Sequence, residues 1–522
     1  MQKEIRLSIT PKAASQKELY YPLLAKKLHV SVKDISAVDL LSKSIDARQK
    51  NVKINLHVRV YINEDRPKQA PYTPELHDVS KKEPVIVVGA GPAGLFAGLK
   101  LIALGYRPII LERGKDVRER KKDIAKIHRN LGVLADSNYA FGEGGAGTFS
   151  DGKLYTRSKK RGNVKEFLQK LSFFGADENI LTDAYPHVGT DKLPRIIENI
   201  RKQIIDCGGA VLFNHKVDRI IIKNHRIEGV ISNGEKYESK SVILATGHSA
   251  RDIYYLLHEL GVTLEAKSFA MGVRVEHPQT LIDSIQYHST TRSKYLPSAT
   301  YKLVQQIENR GVYSFCMCPG GIVVPASTDS HEMVVNGMSP SHRNTRWANA
   351  AIVTEIRTDD LNIHSEKEVL KGLAYQQMYE HLAFENGGEG QIAPAQRLND
   401  FIHGKISQSL PRTSFNPGLK SSNMKEWMPE RIISKLVPAM KAFDRKMKGY
   451  DTNEAVVIGV ESRTSSPIRI PRDRATFQHP EIAGLFPCGE GAGYAGGIAS
   501  SAIDGENCAQ KAVEFMKHSV LT

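Results

Sequence analysis

Pro84-Val85-Ile86-Val87-Val88-Gly89-Ala90-Gly91-Pro92-Ala93-Gly94 is the stretch whose reading decides the fold. Four consecutive β-branched residues, Val85 to Val88, read as a short strand buried on both faces. Three glycines follow at once. Leu95 to Leu104 then reads as a helix ended by Gly105, and Pro108-Ile109-Ile110-Leu111 as the next strand, which stops at Glu112. This is a complete strand–helix–strand unit of about 30 residues, the length a dinucleotide fingerprint requires. Each residue has its own physical reason. Gly89 permits the tight turn, Gly91 lets backbone approach a pyrophosphate, and Gly94 lets the helix pack closely on the strand. The helix start, with Pro92 and Ala93, turns N–H groups and a positive dipole toward phosphates. Glu112, 18 residues after Gly94, places a carboxylate where ribose hydroxyls can donate to it, and Arg113 beside it joins the same candidate set.

Composition bounds the rest. A chain of 522 residues with 41% apolar and 25% charged residues suggests two to four ordinary globular domains and excludes a mainly disordered or fibrous chain. No run of 18 apolar residues occurs, and Met1-Gln2-Lys3-Glu4-Ile5-Arg6 leads into none. Neither a membrane helix nor a secretory signal is expected. Five cysteines, Cys207, Cys316, Cys318, Cys488 and Cys508, are too few and too scattered for a disulfide scaffold; a reducing, cytoplasmic setting is the simplest expectation.

The formal net charge is +15, and residues 1–82 alone hold 16 Lys or Arg against 9 Asp or Glu. A second basic stretch comprises Arg118, Arg120, Lys121, Lys122, Lys126 and Arg129; a third is Arg157-Ser158-Lys159-Lys160-Arg161. Such a field is either a soluble basic surface or an attractor of phosphorylated cofactors, acidic substrates or nucleic acid.

Residues 1–82 read as a small basic α+β module. Ile5 to Ile9 alternates as a strand, Glu18 to Leu28 is helical, a short helix follows Ser31, and Asp34 to Ser44 leads to a long strand, Lys53 to Ile62. Asp65 to Glu83, with three prolines, reads as a linker. Further on, Ala210 to Phe213, Val217 to Ile222 and Arg226 to Ser232 read as three antiparallel strands, followed by a return strand ending in Ala245-Thr246-Gly247. Near the end, Gly484-Leu485-Phe486-Pro487-Cys488-Gly489-Glu490-Gly491 leads to Tyr494-Ala495-Gly496-Gly497-Ile498, which opens a long helix.

The meander ending in Ala-Thr-Gly and this closing motif resemble the FAD-binding domains of the glutathione-reductase class. That resemblance implies that Glu490, after Gly489, stands where an Asp usually holds a ribityl hydroxyl. It also implies that the helix start at Gly496, Gly497 and Ile498 faces the flavin pyrimidine ring, where its dipole favours a reduced flavin. Val217, Ala245, Thr246 and Gly247 join the FAD-binding set. Longer strings are more particular: Asn138-Tyr139-Ala140-Phe141-Gly142-Glu143-Gly144-Gly145-Ala146-Gly147-Thr148, Phe269-Ala270-Met271-Gly272-Val273-Arg274, Phe315-Cys316-Met317-Cys318-Pro319 and Gly459-Val460-Glu461-Ser462-Arg463. Over essentially the whole chain these resemble a bacterial family of FAD-dependent dehydrogenases. The implied architecture is α/β: a Rossmann-like FAD-binding domain (parallel sheet plus β-meander, 84–265 and 452–522), an inserted α+β substrate domain (266–451) and the N-terminal α+β domain (1–82). The active site is expected between flavin and insertion.

Within the glycine-rich segment 142–152, Gly144, Gly145, Ala146, Gly147, Ser150 and Gly152 are expected to wrap the flavin or its phosphates, with successive N–H groups forming an anion nest. Cys316 and Cys318 would face one side of a strand; redox exchange with flavin, pocket lining and simple burial are all open. Arg463 is a candidate for pairing with an anionic substrate or with reduced flavin, a structural ion pair being the alternative. His248 is either a loop or a catalytic residue. Cys488 reads as packing. No metal site is expected, since no ligand spacing appears. No second GxGxxG unit appears either, so hydride would come from NAD(P)H docking in the shared cleft or from the substrate itself. The reading is an FAD-dependent oxidoreductase acting on a small molecule. A flavoprotein acting on RNA, such as a tRNA modifier, is a second reading motivated by the basic N-terminal module; its aromatics, Tyr20, Tyr21, Tyr61 and Tyr72, are sparse for base stacking. A non-catalytic flavin-binding redox sensor is a third. No sequence pattern specifies an oligomeric state.

Overall fold

The apolar run after Pro84 becomes the central strand of a five-stranded parallel sheet. In the computed structural model, which describes residues 1–68, 70–156, 162–363 and 367–519, the sheet order is Leu485–Pro487, Val242–Leu244, Pro84–Val88, Arg107–Leu111, Ala210–Leu212. Val85, Ile86 and Val87 have no exposed surface, as expected for a strand covered on both faces. Helices Pro92–Ala103 and Ile498–Ser519 pack on each other over one face. Glycine allows this: a Cβ on Gly505 would stand 2.0 Å from the Ala93 carbonyl oxygen, and one on Gly94 would stand 1.9 Å from that of Gly89.

Two sequence expectations change here. Ala210–Leu212 is not the first meander strand; it pairs in parallel with Ile109 to Leu111 at the edge of the main sheet. The meander is Val217–Lys223, Arg226–Ser232 and Glu235–Glu238. The basic pentapeptide Arg157 to Arg161 lies outside the described residues.

Inserted in sequence between the strands Val242–Leu244 and Leu485–Pro487 is a seven-stranded mixed sheet, ordered Val304–Ile307, Arg310–Cys318, Trp347–Ile356, Phe269–Pro278, Val456–Glu461, Ala393–Arg397, Leu419–Ser421. Its axis is an unbroken antiparallel ladder from Phe269↔Ile356 to Pro278↔Trp347. Helix Glu430–Lys446 covers it with Ile432, Ile433, Leu436, Met440 and Phe443. Val456–Glu461 pairs with Phe269–Pro278, so a boundary at 451/452 cuts ahead of a strand that belongs to this sheet.

The N-terminal strands Gln2–Ile9 and Ile35–Asp46 flank Lys53–Ile62, and helix Lys17–Leu28 supplies Leu24, Ala25 and Leu28 to their core. The turn after Ser31 is one 3₁₀ turn with a capping box to Asp34. Val79, in the linker, is fully buried, and its N–H donates to the Cys207 carbonyl. The module is also held by Lys43, whose N–H donates to Thr182 O (2.9 Å) and whose carbonyl accepts from Ala184 N (3.0 Å). Several of its basic groups are paired on the module itself: Arg59 and His57 with Glu4, Arg48 with Asp46, and Arg66 with Asp39.

Gly94→Ala forces its Cβ into the Gly89 carbonyl and is expected to cost about 1–3 kcal/mol in urea unfolding, by overpacking. Gly105→Ala, whose Cβ meets nothing within 4 Å, tests only the backbone strain of a positive φ and is expected to cost less.

Candidate functional site

Glu112 follows directly on the strand Arg107–Leu111, and its carboxylate gathers three loops. It accepts from Ala90 N (2.8 Å), Gly114 N (2.9 Å) and Gly142 N (3.0 Å). Most of its acceptor capacity is therefore spent on positioning the fingerprint turn and the glycine-rich segment. Arg113 stacks on Phe141, 4.4 Å from the ring centroid, and pairs with Asp252 and Asp136.

Arg120 is the residue most misread from sequence. It belongs to no surface field: it is fully buried and donates to the carbonyls of Asn138 (2.8 Å), Tyr139 (3.0 Å), Gly142 (3.3 Å) and Glu143 (2.7 Å), and to Thr148 Oγ1 (3.2 Å). Burial pulls its pKa down to about 10, and Glu112 and Glu143 oppose the shift. Thus clamped, the segment turns back on the fingerprint. Gly144 N donates to Ala90 O (2.8 Å) and Gly145 N to Gly142 O (2.9 Å), so these two N–H groups are not free for an anion nest. A Cβ on Gly145 would stand 3.1 Å from the Gly91 Cα; the close approach at Gly91 is made by Gly145 itself. Ser150 donates to Gly147 O and accepts from Gly152 N.

The closing motif is more open. A Cβ on Gly247, Gly496 or Gly497 would meet nothing within 4 Å, whereas one on Gly147 would meet Ile498 at 3.1 Å and Pro92 at 3.3 Å. Ala245 instead sits in the sheet, its N–H on Val88 O and its carbonyl 2.5 Å from where a Gly89 Cβ would be. Thr246 follows, partly buried. Val217 is buried against the sheet core with Val88, Leu111 and Leu244. Gly489 N donates to Asp504 (2.8 Å). Glu490 is different: its half-buried carboxylate has no hydrogen-bond partner among the described residues, and burial pushes it up to about 7 against the pull of Lys267. Lys267 donates to Ser466 O (3.2 Å), and burial lowers its own pKa. A carboxylate lacking donors beside bare glycine backbone at the start of the helix Ile498–Ser519 fits a polyhydroxylated, anionic dinucleotide such as FAD.

A cleft of about 500 Å³, including its solvent-open part, lies between the two halves of the molecule. Tyr139, Ala146, Phe149 and Ser150 of the glycine-rich segment and His248 and Ser249 beyond the Ala-Thr-Gly strand form one wall. The other wall comes from the hairpin Ile322–Pro325/Val335–Met338 and from Glu461 and Arg463. Arg463 is no free anion receptor: it is held by Glu380 (3.0 and 2.7 Å), Glu332 (2.6 Å) and Thr328 (2.7 Å), and Arg251 bridges the same two glutamates. Arg251, Glu332 and Glu380 carry no motif, and nothing local in sequence singles them out. His248 Nδ1 meets Ser249 Oγ at 2.8 Å, and burial with the neighbouring Arg463 and Arg251 pushes the imidazole down to about 4.

Cys316 and Cys318 do not share a strand face. Cys316 has φ +44° at a bulge where Phe315 pairs with Ala351 but Cys318 with Asn349. Cys316 is exposed and Cys318 buried; neither lines the cleft, and both are free thiols. Lys153 lies beside them and donates to the intervening Met317 carbonyl. Desolvation by the surrounding chain outweighs the pull of Lys153 and pushes the Cys316 thiol up to about 11. Cys488, Asp504 and Cys508 bring three ligand-type atoms within 4.8 Å, but Arg472 already donates to Asp504 (2.6 and 3.0 Å) and Cys508 (3.2 Å), putting a cation where a metal would stand.

Residues 268–464 match a family described as FAD-dependent protein, C-terminal domain-like, and residues 1–61 match a domain of unknown function (DUF8436). An uncharacterized protein of Clostridium beijerinckii is 40% identical over 511 residues, 94% of this chain and 95% of its own length. Protein FixC of Escherichia coli is 24% identical over 202 residues, 38% of this chain and 44% of FixC. The crystal structure of CtdE in complex with FAD spans 84% of this chain and 94% of its own at 12% identity, with a TM-score of 0.32.

Removing the Arg120 fork leaves buried carbonyls unsatisfied, so Arg120→Leu is expected to cost about 3 kcal/mol in urea unfolding, and Arg120→Lys, a point charge, to recover only part of it. Glu490 gives a pH signature. Its folded pKa is raised, so the folded state holds a proton that the unfolded state loses between about pH 4.5 and 7, and stability falls across that window. Glu490→Gln removes this slope: the FAD-free variant should match the parent near pH 4 and exceed it by roughly 1–3 kcal/mol at pH 8, read from paired unfolding curves.

Proposed function

The chain belongs to one family with its uncharacterized Clostridium beijerinckii relative; from that premise and the match of residues 268–464 to the FAD-dependent protein family, we propose an FAD-dependent oxidoreductase acting on a small molecule held in the cleft. Bound FAD supplies a hydride acceptor or donor at flavin N5. The observation that carries the reading is the cleft itself: glycine-rich segment and Ala-Thr-Gly strand end on one wall, seven-stranded domain on the other.

The residues divide the work. Glu490 accepts from ribityl hydroxyls, and the acceptor capacity left on Glu112 serves the adenosine ribose. Gly496, Gly497 and Ile498 offer the positive end of a 22-residue helix to the flavin. Gly89, Gly91, Pro92, Ala93 and Gly94 supply the phosphate-side turn. The hairpin Ile322–Pro325/Val335–Met338 forms the wall of the substrate side. His248, kept neutral at physiological pH by burial and by Arg463 and Arg251 beside it, orients substrate by a hydrogen bond without adding charge. NAD(P)H as a donor and direct oxidation of the substrate, a dehydrogenase reaction, are the two routes by which electrons reach the site.

Anaerobic titration of the purified protein with NADPH and then NADH, followed through the visible flavin band, tests this. A yellow protein bleached by one nicotinamide is a reductase fed by that donor; a yellow protein that neither reduces takes electrons from its substrate. A colourless protein that does not take up FAD would sink the reading. Gly497→Val fills open space, so it is expected to lower FAD retention about tenfold or more while the melting temperature of the FAD-free protein stays within a degree or so.

A further inference from the structure

Two charged side chains line the cleft, Glu461 and Arg463, and both are already saturated by the protein. Arg463 has five N–H bonds to give. Nε and Nη2 give theirs to Glu380 and Glu332, and Nη1 gives its pair to Thr328 Oγ1 (2.7 Å) and Ser249 Oγ (3.5 Å). With Arg251 bridging the same two carboxylates, the cluster holds two cations and two anions. Glu461 takes the fork of fully buried Arg274 on both oxygens (2.9 and 3.0 Å), and the rest of that guanidinium goes to Asn349, Asn336 and the Cys316 carbonyl.

The neutral polar groups are mostly spent as well. Tyr139 Oη is engaged with His128 Nε2 (2.5 Å), and Ser150 with Gly147 and Gly152. Among the described residues, His248 Nε2 and Asn336 Nδ2 carry no protein hydrogen bond at the cleft, since His248 uses Nδ1 on Ser249 and Asn336 uses Oδ1 on Arg274 and Gly337. Around them the wall is apolar: Phe149, Val324, Ala326, Val334 and Val335.

We infer that the cleft selects an uncharged molecule with an apolar body and one hydrogen-bonding edge, such as an amide, ketone or alcohol, and rejects carboxylates, phosphates and ammonium ions. An ion entering it would lose its water and meet no unpaired opposite charge. The inference deepens the oxidoreductase reading and rests on it for the cleft being the substrate side.

Three probes of one size and three charges test it: benzamide, benzoate and benzylammonium, titrated into the FAD-loaded protein by calorimetry and by perturbation of the flavin spectrum. Benzamide is expected to bind at least about tenfold more tightly than either ion. Ala326→Trp, which fills the cleft, should weaken benzamide about tenfold or more, with flavin content read alongside. Asn336→Asp, which adds one unbalanced charge, should shift preference toward benzylammonium. Benzoate binding as tightly as benzamide, benzamide failing to bind up to its solubility, or Ala326→Trp leaving its affinity unchanged would each overturn the inference. A protein that carries no FAD fails the underlying reading instead, and the calorimetric charge preference then decides the inference separately.

Discussion

The fork of Arg120 is the constraint on which the site depends. A glycine-rich loop has no side chains with which to hold itself, and ordering each of its residues costs backbone entropy. Here a buried guanidinium draws four carbonyls and one hydroxyl of residues 138–148 around a single planar group. Gly142, at φ +111°, lies where a Cβ would stand 2.4 Å from the Arg120 side chain, so the loop can wrap the arginine only with glycine there. Glu112 holds the same loop from the other side through Gly142 N. A cation on a helix and a carboxylate just past the end of a strand thus fix an irregular segment, and that segment becomes one wall of the cleft.

The opposite wall uses the same device on a larger scale. Arg274 and Glu461 sit on adjacent strands of the seven-stranded sheet, and Arg251, Arg463, Glu332 and Glu380 join the two halves of the molecule. Buried ion pairs add little net stability over apolar packing, but breaking one half is severe. Their effect here is geometric: they set the distance between walls and leave the cleft electrically neutral.

Much of the fold was legible because its reasons are local. Gly89 must avoid the Ala245 carbonyl and Gly94 the Gly89 carbonyl, and both demands appear as glycine at fixed spacing. The long helix after the closing motif was legible in the same way, and Glu490 before it is half-buried with no hydrogen-bond partner among the described residues. What escaped depends on distant partners. Ala210–Leu212 is three residues long, and nothing in three apolar residues says which sheet they join. Arg120 stands among surface-type Lys and Arg on an amphipathic helix, and only the loop about 20 residues later reveals its burial. Arg463 meets glutamates 83 and 131 residues away. The divergence of Cys316 and Cys318 comes from one positive φ, which a Cys-x-Cys pattern does not encode.

The order of strands in the parallel sheet has a consequence for synthesis on the ribosome. Val242–Leu244 pairs on one side with Pro84–Val88 and on the other with Leu485–Pro487, over 240 residues later. The whole seven-stranded sheet, ending at Glu461, emerges in between. The growing chain therefore carries a short apolar strand with one open edge, and helix Pro92–Ala103 lacks the cover of Ile498–Ser519, until the last few dozen residues appear. The three-residue length of that edge limits what it can recruit while it waits, and a nascent chain stalled before Leu485 keeps that edge open.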